Sequence, residues 1–472
     1  MERREFFIGG AWVAPLVPND YPVINPASEE QIGVISLGGA GDVDLAVKAA
    51  QAAAPILAAT SFEQRLEWLH LLLEHTKRRY RELATIMSME VGAPITMCLE
   101  QQMDAGIGHL ESFIKAFHQI KWREELENGD VLLRTPIGVC AAITPWNWPI
   151  NQIVLKIVPA LATGSPVILK PSELTPLNAV IYAEMIDEAG FPKGSFNLVH
   201  GDGATVGTAL AAHPDVRMVS FTGSIRGGVS VARNAADTIK RVTLELGGKS
   251  PNLVFADADL EARIRGGIDE VMNNSGQSCD APTRMLVERS AYDNAVAIAR
   301  DHITSVRCGD PALEGPHIGP LISAQHYQRV QDLISLGIAE GATLLAGGTG
   351  KPEGFERGYY TRPTIFIDVD SSMRIDREEI FGPVMSIAPF DSEDQAVRMA
   401  NASPYGLAAY IQTSDMDRAW RVAAKLEAGN VHINGGAVQY GTPFGGFKQS
   451  GNGREGGLQG LEDFLELKAV HS

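Results

Sequence analysis

Four cysteines in 472 residues are too few and too scattered for a disulfide framework. Cys98, Cys140, Cys279 and Cys308 show no metal-ligand spacing, so no metal centre is expected. Basic charge is also scarce. Asp plus Glu number 57 against 40 Lys plus Arg, a net charge of −17, which argues against nucleic-acid partners and anionic membrane surfaces. No segment approaches the roughly 20 apolar residues of a membrane span, and the opening MERREFFIGGAWV lacks the apolar stretch of a signal peptide, so a cytoplasmic location is expected. The chain shows no internal repeat, no low-complexity tract, no disordered linker, and no G-x-G-x-x-G after its first strand. What is present is a 45% hydrophobic composition, ample for two or three domains at roughly 150 residues each.

Periodicity indicates an α/β fold. Residues 43–57 read as an Ala-rich amphipathic helix, and residues 62–89 as a second helix with Leu66, Leu69, Leu72 and Leu73 on one face. From residue 166 the chain alternates: strand to 170, helix 176–189, strand 195–200, helix from 204, strand 216–222, helix from 224, strand 241–244. Repeated βαβ of this kind requires a parallel sheet covered on both faces. The all-apolar run around Cys140 reads as one of its buried strands, and Cys98 and Cys308 read as packed thiols.

Three short segments carry chemistry. In NNSGQSCDAPTR, residues 273–284, Cys279 sits among small and polar residues that let backbone and solvent reach the sulfur. Taken alone the segment suits a reactive thiol or a structural one. Glu245 ends a β-branched stretch just before Gly247 and Gly248, and strand ends in open α/β sheets are where ligand sites form. Such a carboxylate can serve as a base, or cap a helix, or pair with a lysine. In Thr144-Pro145-Trp146-Asn147-Trp148-Pro149, two prolines and two tryptophans bracket one Asn. That rigid turn suits a preorganised amide donor, or an Asn completing its own turn. A thiol, a carboxylate and a fixed amide form the parts list for acyl chemistry.

In order and spacing these motifs resemble the aldehyde dehydrogenase superfamily. The chain also carries FIGGAWV at 7–13, LKPSE at 169–173, FTGS at 221–224, EEIFGP at 378–383 and PFGGFKQSGNGRE at 443–455, making eight matches in register along essentially its whole length. The resemblance implies a variant Rossmann cofactor domain (residues 1–117 and 137–248), an α/β catalytic domain (249–445) and a β oligomerisation arm (118–136 and 456–472), and hence a homodimer or homotetramer. It implies oxidation of an aldehyde to the acid with NAD(P), with Cys279 as nucleophile, Glu245 activating the hydrolytic water and Asn147 as one arm of an oxyanion hole. It assigns cofactor contacts to Thr144, Pro145, Trp146, Lys170, Ser172, Glu173, Gly203, Phe221, Gly223, Ser224, Leu246, Gly247, Glu379 and Phe381. Among these, Lys170 and Glu173 would hold the adenine ribose and Glu379 the nicotinamide ribose, with Phe381 packed near it. A carboxylate at Glu173 accepts from a ribose 2′-hydroxyl and repels a 2′-phosphate, which favours NAD, with NADP as the alternative. Arg226, where the family often has Glu, would offset that repulsion.

For the substrate, the resemblance points to Trp148, Asn151, Gln152, Leu155, Val438, Gln439 and Tyr440, a lining that suits a moderately polar or aromatic aldehyde. Asn151 and Gln152 read equally as amides satisfied inside the helix layer. Asp280, directly after the nucleophile, is a departure from the usually uncharged family position. It would oppose the thiolate, or turn toward substrate or toward Arg284, or simply be solvated. Three other readings compete. A CoA-acylating relative generally lacks the base that Glu245 supplies, a cofactor-free esterase leaves Lys170, Glu173, Glu379 and Phe381 unexplained, and a silent binding protein would have lost the three central residues.

Overall fold

A computed structural model describes residues 1–471. Its largest sheet has eight strands, in the order Gly451–Asn452, Arg241–Glu245, Met218–Thr222, Cys140–Ile143, Val167–Lys170, Phe196–Leu198, Phe6–Ile8 and Ala11–Val13. The five strands from Arg241–Glu245 to Phe196–Leu198 run parallel. The strands added at both edges are antiparallel. Numbered along the chain, the parallel core has the order 3-2-1-4-5, so its direction of growth reverses between Cys140–Ile143 and Met218–Thr222. A crevice opens at the carboxyl ends of two such strands.

The parallel strands are apolar throughout because both faces are covered. Successive side chains of one strand enter opposite cores: Cys140 and Ala142 join the helices Phe62–Arg78, Met103–Phe117, Pro149–Thr163 and Leu177–Ala189, while Ala141 and Ile143 join the helix Ala40–Ala58. The helix expected over 62–89 is two helices, Phe62–Arg78 and Tyr80–Val91. Arg79 leaves helical geometry at φ −94°, ψ 17°, and its guanidinium pairs with Glu82 and Glu184. Leu69 and Leu72 are fully buried and Leu66 and Leu73 pack at the margin of the same core. The helix expected from 204 opens as a wide π turn, Gly203–Gly207, before regular α-helix at Thr208–Ala212.

A second sheet of seven strands runs Thr343–Ala346, Thr364–Ile367, Val384–Phe390, Arg284–Glu288, Pro251–Val254, Ala408–Gln412 and Asn430–Ile433, all parallel except the first. Leu465–Val470, Val131–Pro136 and Arg123–Glu125 form a three-stranded antiparallel sheet, and in Leu465–Val470 every residue after the first is exposed. A small sheet near the start joins Glu2–Arg3, Gln31–Ser36 and Asp20–Ile24. No helix among the described residues is long and apolar enough to cross a membrane.

Candidate active site

The carboxyl ends of three neighbouring strands supply the site. Cys140–Ile143 runs into the rigid turn that holds Asn147, Met218–Thr222 into Gly223 and Ser224, and Arg241–Glu245 ends on Glu245 itself. Across from them, the chain leaves the helix Leu260–Met272 through a loop in which Asn274, Ser275 and Gly276 all adopt left-handed conformations, with φ of 49°, 57° and 72°. Two of these, Asn274 and Ser275, carry a side chain into a conformation that is costly outside glycine and persists only where the surroundings over-determine it. Here Ser275 Oγ donates to the Gly319 carbonyl at 2.7 Å, Gln277 Oε1 accepts from Ile322 N at 3.0 Å, and Asn274 Nδ2 donates to the Asn147 backbone carbonyl at 3.0 Å. A Cβ on Gly276 would collide with the Gly382 carbonyl, and one on Gly248 with the carbonyl of Cys279. The loop therefore presents Cys279 in a fixed position.

Asn147, 4% exposed, donates one amide hydrogen to the Gln277 carbonyl at 2.9 Å, which ties the turn to the loop two residues before the thiol. Trp148 Nε1 donates to Ser278 Oγ at 2.9 Å, a second tie one residue away. Cys279, Glu245 and Asn147 line one cleft of about 120 Å³, with Pro145, Trp146, Gln152, Gly223, Ser224, Leu246, Gly247, Glu379 and Phe381.

The electrostatics of the cleft favour neutral forms. Burial pushes the Cys279 thiol well above its usual value, and Asp280, Glu379 and Glu245 add to the shift. Glu245 is 5% exposed and neither carboxyl oxygen has a hydrogen-bond partner. Burial, then the charge of Glu455, push its pKa well up, against the opposing pull of Lys156 and Arg454. Lys156, wholly buried on the helix Pro149–Thr163, forms an ion pair with Glu455 and donates to Thr222 Oγ1 at 2.6 Å. Glu379 accepts from Gly248 N at 3.0 Å, and burial raises it to about 7.

The arrangement fits a dinucleotide. A Cβ on Gly247 would collide with the Glu379 carboxylate, so glycine keeps that wall of the cleft open. Ser224 caps the helix Ile225–Ala235 by accepting from Gly227 N at 3.2 Å, which leaves further free N–H groups at the helix start to face phosphate. Away from the cleft, buried Lys170 donates to the carbonyls of Pro171 and Gly201 and lies 3.6 Å from Glu173. Thr144 N donates to the Lys170 carbonyl, Ser172 Oγ accepts from Leu174 N, and Gly203 is exposed just beyond Gly201. Phe221 packs beneath Gly223 and Gly227, and Arg226 is exposed on the first turn of the adjoining helix.

His326 and Arg329 also line the cleft, and no motif in the sequence singles them out. Both project from the helix Ala324–Ala339. His326 Nε2 lies 2.6 Å from the Phe381 carbonyl, and Arg329 donates to the Glu379 carbonyl at 2.9 Å. Burial lowers His326 to about 4, so the neutral ring is the donor. Phe381 itself is left-handed, at φ 60°, and this pair of bonds flanks it.

The substrate-side expectations divide. Gln152 lines the cleft, and the buried side-chain oxygens of Asn151 and Gln152 have no partner, so these amides are not satisfied within the helix layer. Tyr440 stands apart, donating to Asp104 at 2.7 Å and packing edge-on against His109. Asp280 does not reach Arg284, whose guanidinium is taken by the carbonyls of Lys249, Met399 and Ala400. It faces a separate cavity with Glu270, Tyr410 and His432.

Known proteins match this chain throughout. The aldehyde dehydrogenase family profile covers residues 12–470. A 3-succinoylsemialdehyde-pyridine dehydrogenase from Pseudomonas sp is 48% identical over 99% of this chain and 98% of its own length. The crystal structure of an aldehyde dehydrogenase from Bartonella henselae superposes with a TM-score of 0.98 at 49% identity, covering 100% of this chain and 99% of its own. A mutant of aldehyde dehydrogenase C (AldC) from Pseudomonas syringae, complexed with NAD+ and octanal, superposes at 0.98 with 46% identity, over 99% of this chain and 96% of its own.

Proposed function

From the premise that this chain belongs to the aldehyde dehydrogenase family and oxidises aldehydes with NAD(P), we propose the roles its own residues take. Cys279 is the nucleophile: its thiol gives its proton to water, and the thiolate sulfur bonds to the aldehyde carbon as the carbonyl π bond breaks, giving a hemithioacetal oxyanion. The Cys279 N–H and the second amide hydrogen of Asn147 receive that oxyanion, since the first is already committed to Gln277. NAD, when bound, accepts the hydride that the adduct loses. Glu379, Phe381, Gly247 and Ser224 hold its nicotinamide and phosphate end, and Lys170 and Glu173 its adenine ribose. Glu245 takes a proton from water as that water attacks the Cys279 thioester, the C–S bond breaks, and the carboxylic acid leaves. A carboxyl raised by burial and without a fixed partner is suited to exchange that proton.

The observation that carries this reading is the meeting of Cys279, Glu245 and Asn147 in one cleft from three separate segments of the chain, the turn of Asn147 being tied to the loop of Cys279 across 130 residues. Gln152 and Asn151, with unpartnered oxygens, support a polar or aromatic aldehyde. So does the relative named for a pyridine semialdehyde, while the octanal complex of AldC supports a straight chain. Glu173 supports NAD over NADP. The exposed strand Leu465–Val470 supports a homodimer or homotetramer, and the acidic chain with its nicotinamide chemistry supports a cytoplasmic location. The test is reduced-nicotinamide absorbance over a panel of aliphatic, aromatic and carboxylated aldehydes, with NAD and NADP in parallel and Cys279→Ala as control. Turnover is expected to vanish in the control. Turnover that survives it removes the assignment.

A further inference from the structure

On the far side of the nucleophile loop lies a second cavity of about 360 Å³ that the proposed chemistry does not use. The strands Ala408–Gln412 and Asn430–Ile433, the helix Leu260–Met272 and the loop after Asn434 enclose it, and Asp280 enters it one residue beyond the nucleophile.

The lining is held in place and rich in acceptors. Gln412 is 5% exposed; its Nε2 donates to Asn252 Oδ1 at 3.0 Å, which fixes the amide, and its buried Oε1 has no partner. His432 Nδ1 donates to the Gly436 carbonyl at 2.7 Å, and its Nε2 is buried and unpartnered. Tyr410 stacks on the imidazole with ring centroids 4.6 Å apart, and its hydroxyl donates to the Asp280 backbone carbonyl at 3.2 Å. No side-chain hydrogen bond engages the carboxyls of Asp280 or, at the rim, Glu270. Burial raises both, Glu270 to about 7 with Asp280 contributing. Against these acceptors stands Arg263, which is turned aside to donate to the Asn434 carbonyl at 2.8 Å. Gly435 and Gly436 put no side chain into the space.

We propose that this cavity is a second small-molecule site, for an organic ammonium or a protonated nitrogen heterocycle. Two carboxyls and an amide oxygen ask for a ligand that brings N–H donors and positive charge, and Tyr410 and His432 offer it an aromatic wall. Its occupation has a consequence across the loop. Asp280 opposes ionisation of Cys279, and a cation beside Asp280 offsets that opposition, so the bound cation makes the thiol more reactive.

The test is calorimetric titration of the full-length enzyme with benzylammonium and with the neutral benzyl alcohol, together with the rate of Cys279 alkylation by iodoacetamide. Benzylammonium is expected to bind, with benzyl alcohol about tenfold weaker or worse, as for loss of a charge-assisted hydrogen bond. Gln412→Leu and Asp280→Asn are each expected to weaken benzylammonium by about tenfold while Cys279→Ala leaves it unchanged. Glu270→Gln, at the solvent-facing rim, serves where a deeper substitution fails to fold. Alkylation is expected to accelerate several-fold with benzylammonium alone. Absence of binding to the wild-type enzyme overturns the site, as does affinity indifferent to Gln412→Leu in a variant of wild-type Tm. Protection of Cys279 from alkylation places the cation in the reaction cleft and overturns it equally.

Discussion

Asn147 has two amide hydrogens, and the Gln277 carbonyl holds one. The bond fixes the direction of the other, which is what a preorganised donor requires. Asn147→Ala is therefore expected to lower kcat by about 10²–10³-fold while the Kd of NAD, followed by fluorescence, stays within about twofold. Wild-type kcat in that variant removes Asn147 from the oxyanion site. Glu245→Gln tests the other half of the cycle: the first turnover is expected to release reduced nicotinamide as a burst, followed by a slow steady state limited by thioester hydrolysis, and a rapid-quench trace without the burst contradicts it. At this scale the sequence made some side chains legible and not others. Cys279, Glu245 and Asn147 stand in compact motifs whose neighbours fix local geometry. His326 and Arg329 do not, because they bond the backbone carbonyls of residues 55 and 50 positions away, which no local pattern encodes. The unsatisfied amides of Asn151 and Gln152 are likewise a property of what surrounds them.

Among the elements, the helix Leu177–Ala189 has an unusual start. Its N-cap is Pro176, which offers no side-chain acceptor, and the first free N–H groups, on Leu177 and Asn178, are received by Glu90 from the end of Tyr80–Val91. Glu90 is fully buried, and burial outweighs these donors, raising it to about 7 from the usual 4.5. Below pH 4.5 both folded and unfolded chains carry the proton. Between 4.5 and 7 the unfolded chain ionises first, so stability falls by an amount on the order of 3 kcal/mol as pH rises, and above 7 the loss is complete. Glu90→Gln cannot ionise, and its thermal midpoint relative to wild type is expected to rise from pH 5 to pH 8. Parallel midpoints across that range contradict the assignment. Strands and long helices of the first sheet were legible from period and β-branching, and the carboxyl ends of its five parallel strands were placed within a residue or two, whereas no strand of the seven-stranded sheet was read. The break at Arg79 was not, because leucines continue through it and the pairing with Glu184 that accompanies it is a tertiary contact.

In the whole molecule, the order 3-2-1-4-5 puts the turn of Asn147, the start of the helix Ile225–Ala235 and Glu245 on adjacent strand ends. That order was not readable from alternation alone, since any βαβ succession permits several. The three-stranded arm holds a long exposed strand on which Leu467 is 59% exposed, an edge that soluble chains normally cover. Removing residues 464–472 is expected to yield a smaller assembly by light scattering, and an unchanged mass excludes the arm as the contact. One feature reaches further. Lys156 lies fully buried, and its counter-charge, Glu455, lies 299 residues further along the chain. A buried charge left without its partner costs about 3–5 kcal/mol. During synthesis, therefore, Lys156 emerges from the ribosome without its counter-charge, and waits until Glu455 follows 299 residues later. Domains usually mature in the order they are made; this one is completed only from a distant segment, so a chain stopped before Glu455 leaves an unfinished earlier half rather than a folded fragment.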